Sequence, residues 1–290
     1  MPGKYINPYT DFGFKRIFGQ EANKDVLISF LNSILPERHH VADLQFRNTA
    51  LIPPREGMYW PILDLYCESP SGERFIVEMQ QKNPLLFMDR TVYYTACAIR
   101  EQFERGYGPQ KLAAVYFIGI MDFVYRIENS EPELLKEISL KDEHGVEMYD
   151  RLRIYFLQMP LFDKDELELT TPFDKWLFFL KNLPSLDHIP AILGEPVFKK
   201  AFETAERAKM TASEEWDYIR ALDAVAISKL MFENERIEGR AEGRAEGRTE
   251  GRAEGMATII RSMMKTMSIS DVAKITGIDK TEIEALTKEI

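Results

Sequence analysis

With 290 residues, 45% of them hydrophobic, the chain has the length for one large domain or a domain plus an appendage, and the apolar content for a sizeable core. A formal net charge of −10 argues against broad adhesion to nucleic acid, which needs a basic surface, although a local basic groove is compatible with it. Cys67 and Cys97 lack CxxC spacing, the four histidines form no HExxH or HxH pattern, and no apolar run reaches the length of a membrane span; a disulfide framework, a zinc site and a transmembrane segment are not expected, and a reducing cytoplasm is.

The opening MPGKYINPYTDFGFKRIFG has no apolar stretch of the signal-peptide kind. Thr10 and Asp11 offer a cap, and Phe12, Ile17 and Phe18 an apolar face, so the first element reads as a helix. NKDVLISFLNSIL is a second helix, with Val26, Leu27, Phe30, Leu31 and Ile34 at helical spacing and Pro36 as its stop. VADLQFRNTAL alternates from Val41 like a strand, YWPILDLYCE runs as a strand to Glu68, SPSG is a turn, and RFIVEMQ is the return strand. A long helix fits FMDRTVYYTACAIREQFERG up to Gly106, followed by a buried strand in LAAVYFIGIMDF and another strand in RLRIYFLQM. From Asp163 to about Asn234 the pattern is helical, punctuated by Pro172, Pro184, Pro190 and Pro196. This order predicts an α/β architecture, a mixed sheet flanked by helices, with a helical extension.

At Glu238 the composition changes to a four-residue repeat, EGRAEGRAEGRTEGRAEG. On a helix its glutamates recur at i, i+4, as do its arginines, which sets like charges side by side. Each glycine costs about 0.8–1.0 kcal/mol relative to alanine. These propensities favour a solvated linker, helical in part. The alternative is a helix whose glycine stripe admits a second copy of the chain. Residues 256–290 read as three short helices, MATIIRSMMKTM, SISDVAKITG closed by Gly277, and DKTEIEALTKEI with Asp279 and Glu282 in capping-box spacing. That outline suits a helix-turn-helix, but Glu282, Glu284 and Glu289 make the last helix acidic for a DNA reader, and a packing or dimerisation module fits as well. The expected division is a core over 1–162, an extension over 163–235, the repeat over 236–255 as linker or helix, and a small helical module over 256–290.

The hairpin LDLYCESPSGERFIVEMQ carries the chemistry. Pairing its strands about SPSG sets Glu68 opposite Arg74, Tyr66 opposite Ile76 and Asp64 opposite Glu78, with Ser69 to Glu73 as a five-residue loop. Two carboxylates placed as cross-strand neighbours are unfavourable unless something compensates them. A hard divalent cation is the simplest candidate: Mg²⁺ takes one or two carboxylates plus waters and leaves positions for phosphate oxygens. Gln80 and Lys82 share the face of Glu78, and the Met79 carbonyl is placed as a further oxygen ligand.

An Asp, a hairpin and an ExQ resemble the active-site hairpin of PD-(D/E)XK nucleases. Together with TDFGFKRIFG and NKDVLISFLNSIL, residues 1 to about 235 resemble the recombination-promoting nuclease (Rpn) and putative transposase family, whose members often carry EGR-like repeats near the C-terminus. The resemblance implies a restriction-endonuclease-like core and Mg²⁺- or Mn²⁺-dependent endonucleolytic cleavage of DNA, linked to recombination, transposition or defence against mobile elements. It implies Asp64 and Glu78 as metal ligands and Gln80 at the third catalytic position, usually a lysine. Lys82 or Lys15 could supply the missing charge. The motif proline is displaced to Pro61.

Plainer readings compete. Asp64 and Glu78 could face solvent, with Leu63, Leu65 and Val77 toward the core. Asp11 could add an outer metal or water contact, or simply cap its helix. Lys15 could touch phosphate or be solvated. Arg90, Tyr93, Tyr94 and Arg100 could line a DNA groove, the tyrosines being as well suited to partial core. The rival to an enzyme is a pseudonuclease that binds DNA or a protein partner; a third reading is an assembly protein that oligomerises through its C-terminal repeat and helical module.

Overall fold

In the computed structural model, which describes residues 3–50, 62–81, 86–103, 111–126 and 130–288, the chain opens on α1 (Asp11–Phe18). Its cap is Thr10, whose hydroxyl accepts the Gly13 N–H at 2.9 Å. Of the two caps that the sequence offers, Thr10 holds the position; Asp11, also read as a cap, is instead the first helical residue, where an acidic side chain favours the helix dipole. The second helix, α2 (Lys24–Ile34), buries the five apolar residues that its spacing singled out.

The strands are β1 (Gln45–Phe46), β2 (Leu65–Glu68), β3 (Arg74–Gln80), β4 (Val115–Met121), β5 (Leu135–Lys141) and β6 (Glu147–Gln158). They form one mixed sheet in the order β1-β2-β3-β4-β6-β5. β3, β4 and β6 run parallel, and the outer pairs are antiparallel. The helix α3 (Phe87–Phe103) lies between β3 and β4 in the chain. β4 is buried at every position, as a central parallel strand covered on both faces must be. One face packs Phe75, Val77, Tyr116 and Ile118 against α1, α2, α4 (Pro172–Asn182) and α5 (Pro196–Ala205). The other packs Ile76, Phe117 and Phe156 against Phe87, Tyr94 and Ala98 of α3. Both cysteines are buried and free, and no helix among the described residues is long and apolar enough to cross a membrane.

Three expectations change. The strand from Val41 shrinks to Gln45–Phe46, because the Asn32 side chain takes both the N–H and the C=O of Val41, at 2.8 and 2.9 Å, and holds the segment as a loop. The strand expected through YWPILDLYCE is ordered here as β2, preceded by an Ala50–Ile62 bridge; its residues 59–61 lie outside the described residues, as does the end of the long helix beyond Phe103. The hairpin partner β5 was not anticipated. Asp142 turns β5 into β6 by accepting the N–H groups of His144 and Val146, with Gly145 at φ 79°.

The chain divides into two compact units, Met1–Asp223 and Ala224–Ile290. The helix α6 (Ala212–Met264) is 53 residues long and includes the whole repeat, so the repeat is helix and not a partly ordered linker. Its sequence is a poor nucleator, but good helix-forming sequence on both sides leaves it only the cheaper task of elongation. The expected first helix of the C-terminal module is the end of α6. After it, α7 (Ile269–Thr276) is capped by Ser268 and closed by Gly277 at φ 73°, and α8 (Lys280–Lys288) follows. Ile260, Val272 and Ile283 form the small core of this unit.

The start of α4 carries a testable acid sensitivity. Thr171 and Asp174 form a capping box. Burial pushes the Asp174 carboxyl up, but Lys164 at 2.7 Å and the Thr170 and Thr171 donors outweigh it and bring the pKa to about 2. The folded value lies below the unfolded one, so the stabilisation is complete above the unfolded pKa of about 4 and is lost as pH falls toward 2. Asp174→Asn is expected to remove about 2 kcal/mol of this acid-dependent stability. Urea unfolding at pH 5 and pH 3 checks it: the gap between variant and wild type must narrow at the lower pH.

Candidate active site

Four of the paired positions of the β2–β3 hairpin fall in the register that the sequence predicts, with Glu68 opposite Arg74 and Tyr66 opposite Ile76. The loop closes through the Ser69 N–H to the Glu73 carbonyl at 2.9 Å, and Gly72 sits at φ 86°, a conformation that glycine adopts without strain. Arg74, 3% exposed, pairs with Glu68 at 3.1 Å and with Glu101 of α3 at 3.3 Å, so the hairpin is braced against the helix above it.

Asp64 stands one residue before β2, opposite Glu78. Its backbone N–H donates to Glu78 Oε1 at 3.0 Å, while its own Oδ2 accepts the Met79 N–H at 2.8 Å. Gln80 Nε2 donates to Glu78 Oε2 at 3.1 Å. The three residues singled out in the sequence therefore meet, and Gln80 acts directly on Glu78. Glu78 is only 2% exposed. That rules out the solvent-facing reading for Glu78; Asp64 is half-buried.

Burial and the Asp64 carboxylate push the Glu78 carboxyl up to about 8. Burial also raises Asp64, against the opposing pull of the Met79 N–H and the Lys15 charge. Both carboxylates are thus held where ionisation is costly. Beside Glu78 on β4 is Gly119. A Cβ there would stand 3.2 Å from the Phe117 ring, 3.3 Å from Phe156 and 3.5 Å from Phe87, so the glycine lets aromatic rings close over the sheet next to the carboxylate.

α1 brings two more groups to this end of the sheet. Lys15 Nζ lies 2.6 Å from Asp11 Oδ1, and the charges of both act on Asp64. Arg90 of α3 acts on Asp64 and Glu78 alike. Arg100 is exposed further along α3 and is not brought to the pair by any described contact. Lys82 and Pro61 lie outside the described residues. Tyr94, which the sequence left between groove and core, is buried, and its hydroxyl receives Arg90. Gly119 was not anticipated; a glycine interrupting the apolar run YFIGIM was its signal.

Among the described residues no group of three or more His, Cys, Asp or Glu is arranged for a metal ion. Asp64 and Glu78 supply two carboxylates, a number that Mg²⁺ accepts when waters and substrate oxygens complete its shell. Two mutually repelling carboxylates, one buried and one half-buried, fit a divalent cation chemically, because its charge compensates what the protein leaves uncompensated.

A family model described as PD-(D/E)XK nuclease family transposase matches residues 8–229. Neither the curated proteins nor the solved structures compared gave a match.

Proposed function

The chain belongs to the PD-(D/E)XK nuclease family transposases, matched over residues 8–229, and from that premise we propose that it is a metal-dependent DNA endonuclease acting in recombination, transposition or defence against mobile elements. The observation that carries the reading is the pairing of buried Glu78 with half-buried Asp64, an arrangement that costs stability and makes sense as a cation site. Asp64 and Glu78 would hold Mg²⁺ or Mn²⁺, with the Met79 carbonyl as a third oxygen. Bound there, such an ion supplies Lewis acidity toward a phosphate and lowers the pKa of a coordinated water.

The protein's own contributions follow from the hydrogen bonds. The Met79 N–H fixes the Asp64 carboxylate, and Asp64 N–H together with the Gln80 amide fixes both oxygens of Glu78. Neither acid then has to be oriented during the reaction. Lys15, Arg90 and Arg100 are the proposed contacts to the DNA backbone; Lys82 or Lys15 would supply charge that Gln80 lacks, and Asp11 an outer contact to metal or water. Nicking of supercoiled plasmid with Mg²⁺, Mn²⁺ or EDTA tests the reading. Metal-dependent nicking supports it, and its absence moves the assignment to the pseudonuclease.

Assembly through the C-terminal region belongs to the same proposal. The four-residue period places glutamates and arginines on opposite sides of α6, with no opposite-charge i,i+4 partner inside the repeat. We propose a second copy's helix as the partner that pairs these exposed ridges. Sedimentation of the full chain beside one ending at residue 235 is expected to show a larger species for the full chain alone, and equal sizes would refute the assembly.

A further inference from the structure

We propose that Arg90, oriented by the hydroxyl of Tyr94, is the catalytic cation of this site, contacting the scissile phosphate, with Tyr94 as its positioning residue. The inference rests on the nuclease reading above.

Phosphodiester hydrolysis gathers negative charge on the phosphoryl oxygens, and a fixed cation stabilises that charge best when it is oriented beforehand. Gln80 carries no charge, and its amide is already engaged on Glu78. Lys15 is closed onto Asp11 at 2.6 Å. Arg100 is ten residues beyond Arg90 on α3, a separation of about 15 Å along a helix.

Arg90 is differently placed. The ring of Phe87 reaches to 3.5 Å from where a Cβ on Gly119 would stand, and Gly119 is paired with Glu78. This part of α3 therefore sits directly beside the carboxylate. Arg90 follows Phe87 by three residues, which keeps it on the same side of the helix. Its Nη2 and Nε donate to Tyr94 Oη at 2.9 and 3.2 Å, and the guanidinium carbon lies 5.4 Å from the Tyr94 ring centroid. Tyr94 is 2% exposed and packed in the core under α3, so the anchor is rigid. Phe87 and Tyr94 of α3 pack on the sheet face that carries Ile76, and Glu78 follows Ile76 by two residues on β3 and so points to that same face. The planar guanidinium suits a phosphate geometrically as well as electrostatically.

Steady-state plasmid nicking under saturating Mn²⁺ tests the assignment, with melting curves for every variant. Arg90→Ala is expected to lower kcat by about 10²–10³-fold, the usual loss for one preorganised stabilising group, with little change in KM. Arg90→Lys, which keeps the charge and loses the fork, should fall between. Tyr94→Phe, which keeps the ring and removes the anchor, should lose about 10-fold. Adding Gln80→Lys to Arg90→Ala should recover about 10-fold or more of the lost kcat, because it returns a cation beside Glu78. A structural role for Arg90 on α3 would not be rescued by a lysine on β3. Arg90→Ala with wild-type kcat, or a loss that follows the melting temperature and resists Gln80→Lys, overturns the Arg90 assignment and leaves the nuclease reading standing. A wild type that does not nick overturns both.

Discussion

Asp64→Asn is expected to reduce metal-dependent nicking by about three orders of magnitude, since the charge stabilisation tied to the cation is worth several kcal/mol and each 1.4 kcal/mol is tenfold in rate. The variant keeps an oxygen to accept the Met79 N–H, which Asp64 Oδ2 now accepts at 2.8 Å, so the local backbone has no reason to move. Stability should therefore respond in the opposite direction to activity. Asp64 and Glu78 raise each other's proton affinity in a site where burial already penalises charge. Neutralising one member removes that repulsion, and the metal-free variant should be about as stable as wild type or up to ~1–2 kcal/mol more so.

Glu78→Gln makes a harder demand. Its amide nitrogen would meet the Gln80 Nε2 donor that now serves Glu78 Oε2, and Gln80 must turn its own oxygen inward to compensate. Activity should fall as far as in Asp64→Asn, with a smaller gain in stability or none. Nicking and urea unfolding on the same preparations check both statements. Nicking that persists in both variants would point to a contaminant. Loss of activity accompanied by loss of fold would mean that the pair is structural.

The hairpin was legible because its information is local. Alternation and turn length together fix a register, and Glu68–Arg74 and Tyr66–Ile76 fall where that arithmetic puts them. β4 was legible as an unbroken apolar run because it is buried on both faces. β5 was not, because it is an edge strand carrying Lys136, Glu137 and Lys141, residues that natural edges use against aggregation and that mask the strand pattern. The segment from Val41 misled for a different reason: its alternation is real, but one asparagine side chain, Asn32, takes the hydrogen bonds that a ladder would need. For the site, Arg90 and Tyr94 are visibly i, i+4 neighbours in the sequence. Their position beside Glu78 depends on how the α3 crossover lands on β4, and that is set by Phe87 reaching into the space above Gly119.

Trp176→Ala is expected to cost about 3–5 kcal/mol, the range for removing a buried large aromatic. Trp176 is fully buried and joins four elements. Its ring centroid lies 5.8 Å from Phe18 of α1, 5.9 Å from Phe30 of α2, 5.6 Å from Phe179 of its own helix and 4.5 Å from Phe198 of α5. Its Nε1 donates to Ser29 Oγ at 3.2 Å. Truncation leaves a void bounded by rings that belong to different helices, and such a void collapses poorly because the helices are each anchored to the sheet. Trp176→Phe retains part of the packing and loses the indole hydrogen bond, so it should cost about 1–2 kcal/mol. A typical domain has about 5–15 kcal/mol in all, so the alanine variant should show a clearly lower urea midpoint. The consequence for the site is selective. α1, which carries Asp11 and Lys15, leans on Trp176 through Phe18, whereas Glu78 alternates with Ile76 onto the other face of the sheet, which α3, the helix of Arg90, covers through Phe87 and Tyr94. At low temperature, where the variant is still folded, nicking should stay within about threefold of wild type, as befits a stability change that spares preorganised groups. A Trp176→Ala protein with an unchanged urea midpoint would contradict the packing argument. One with a lowered midpoint and a lost low-temperature activity would show instead that turnover depends on the α1 face, and on Lys15 as more than a contact to the DNA backbone.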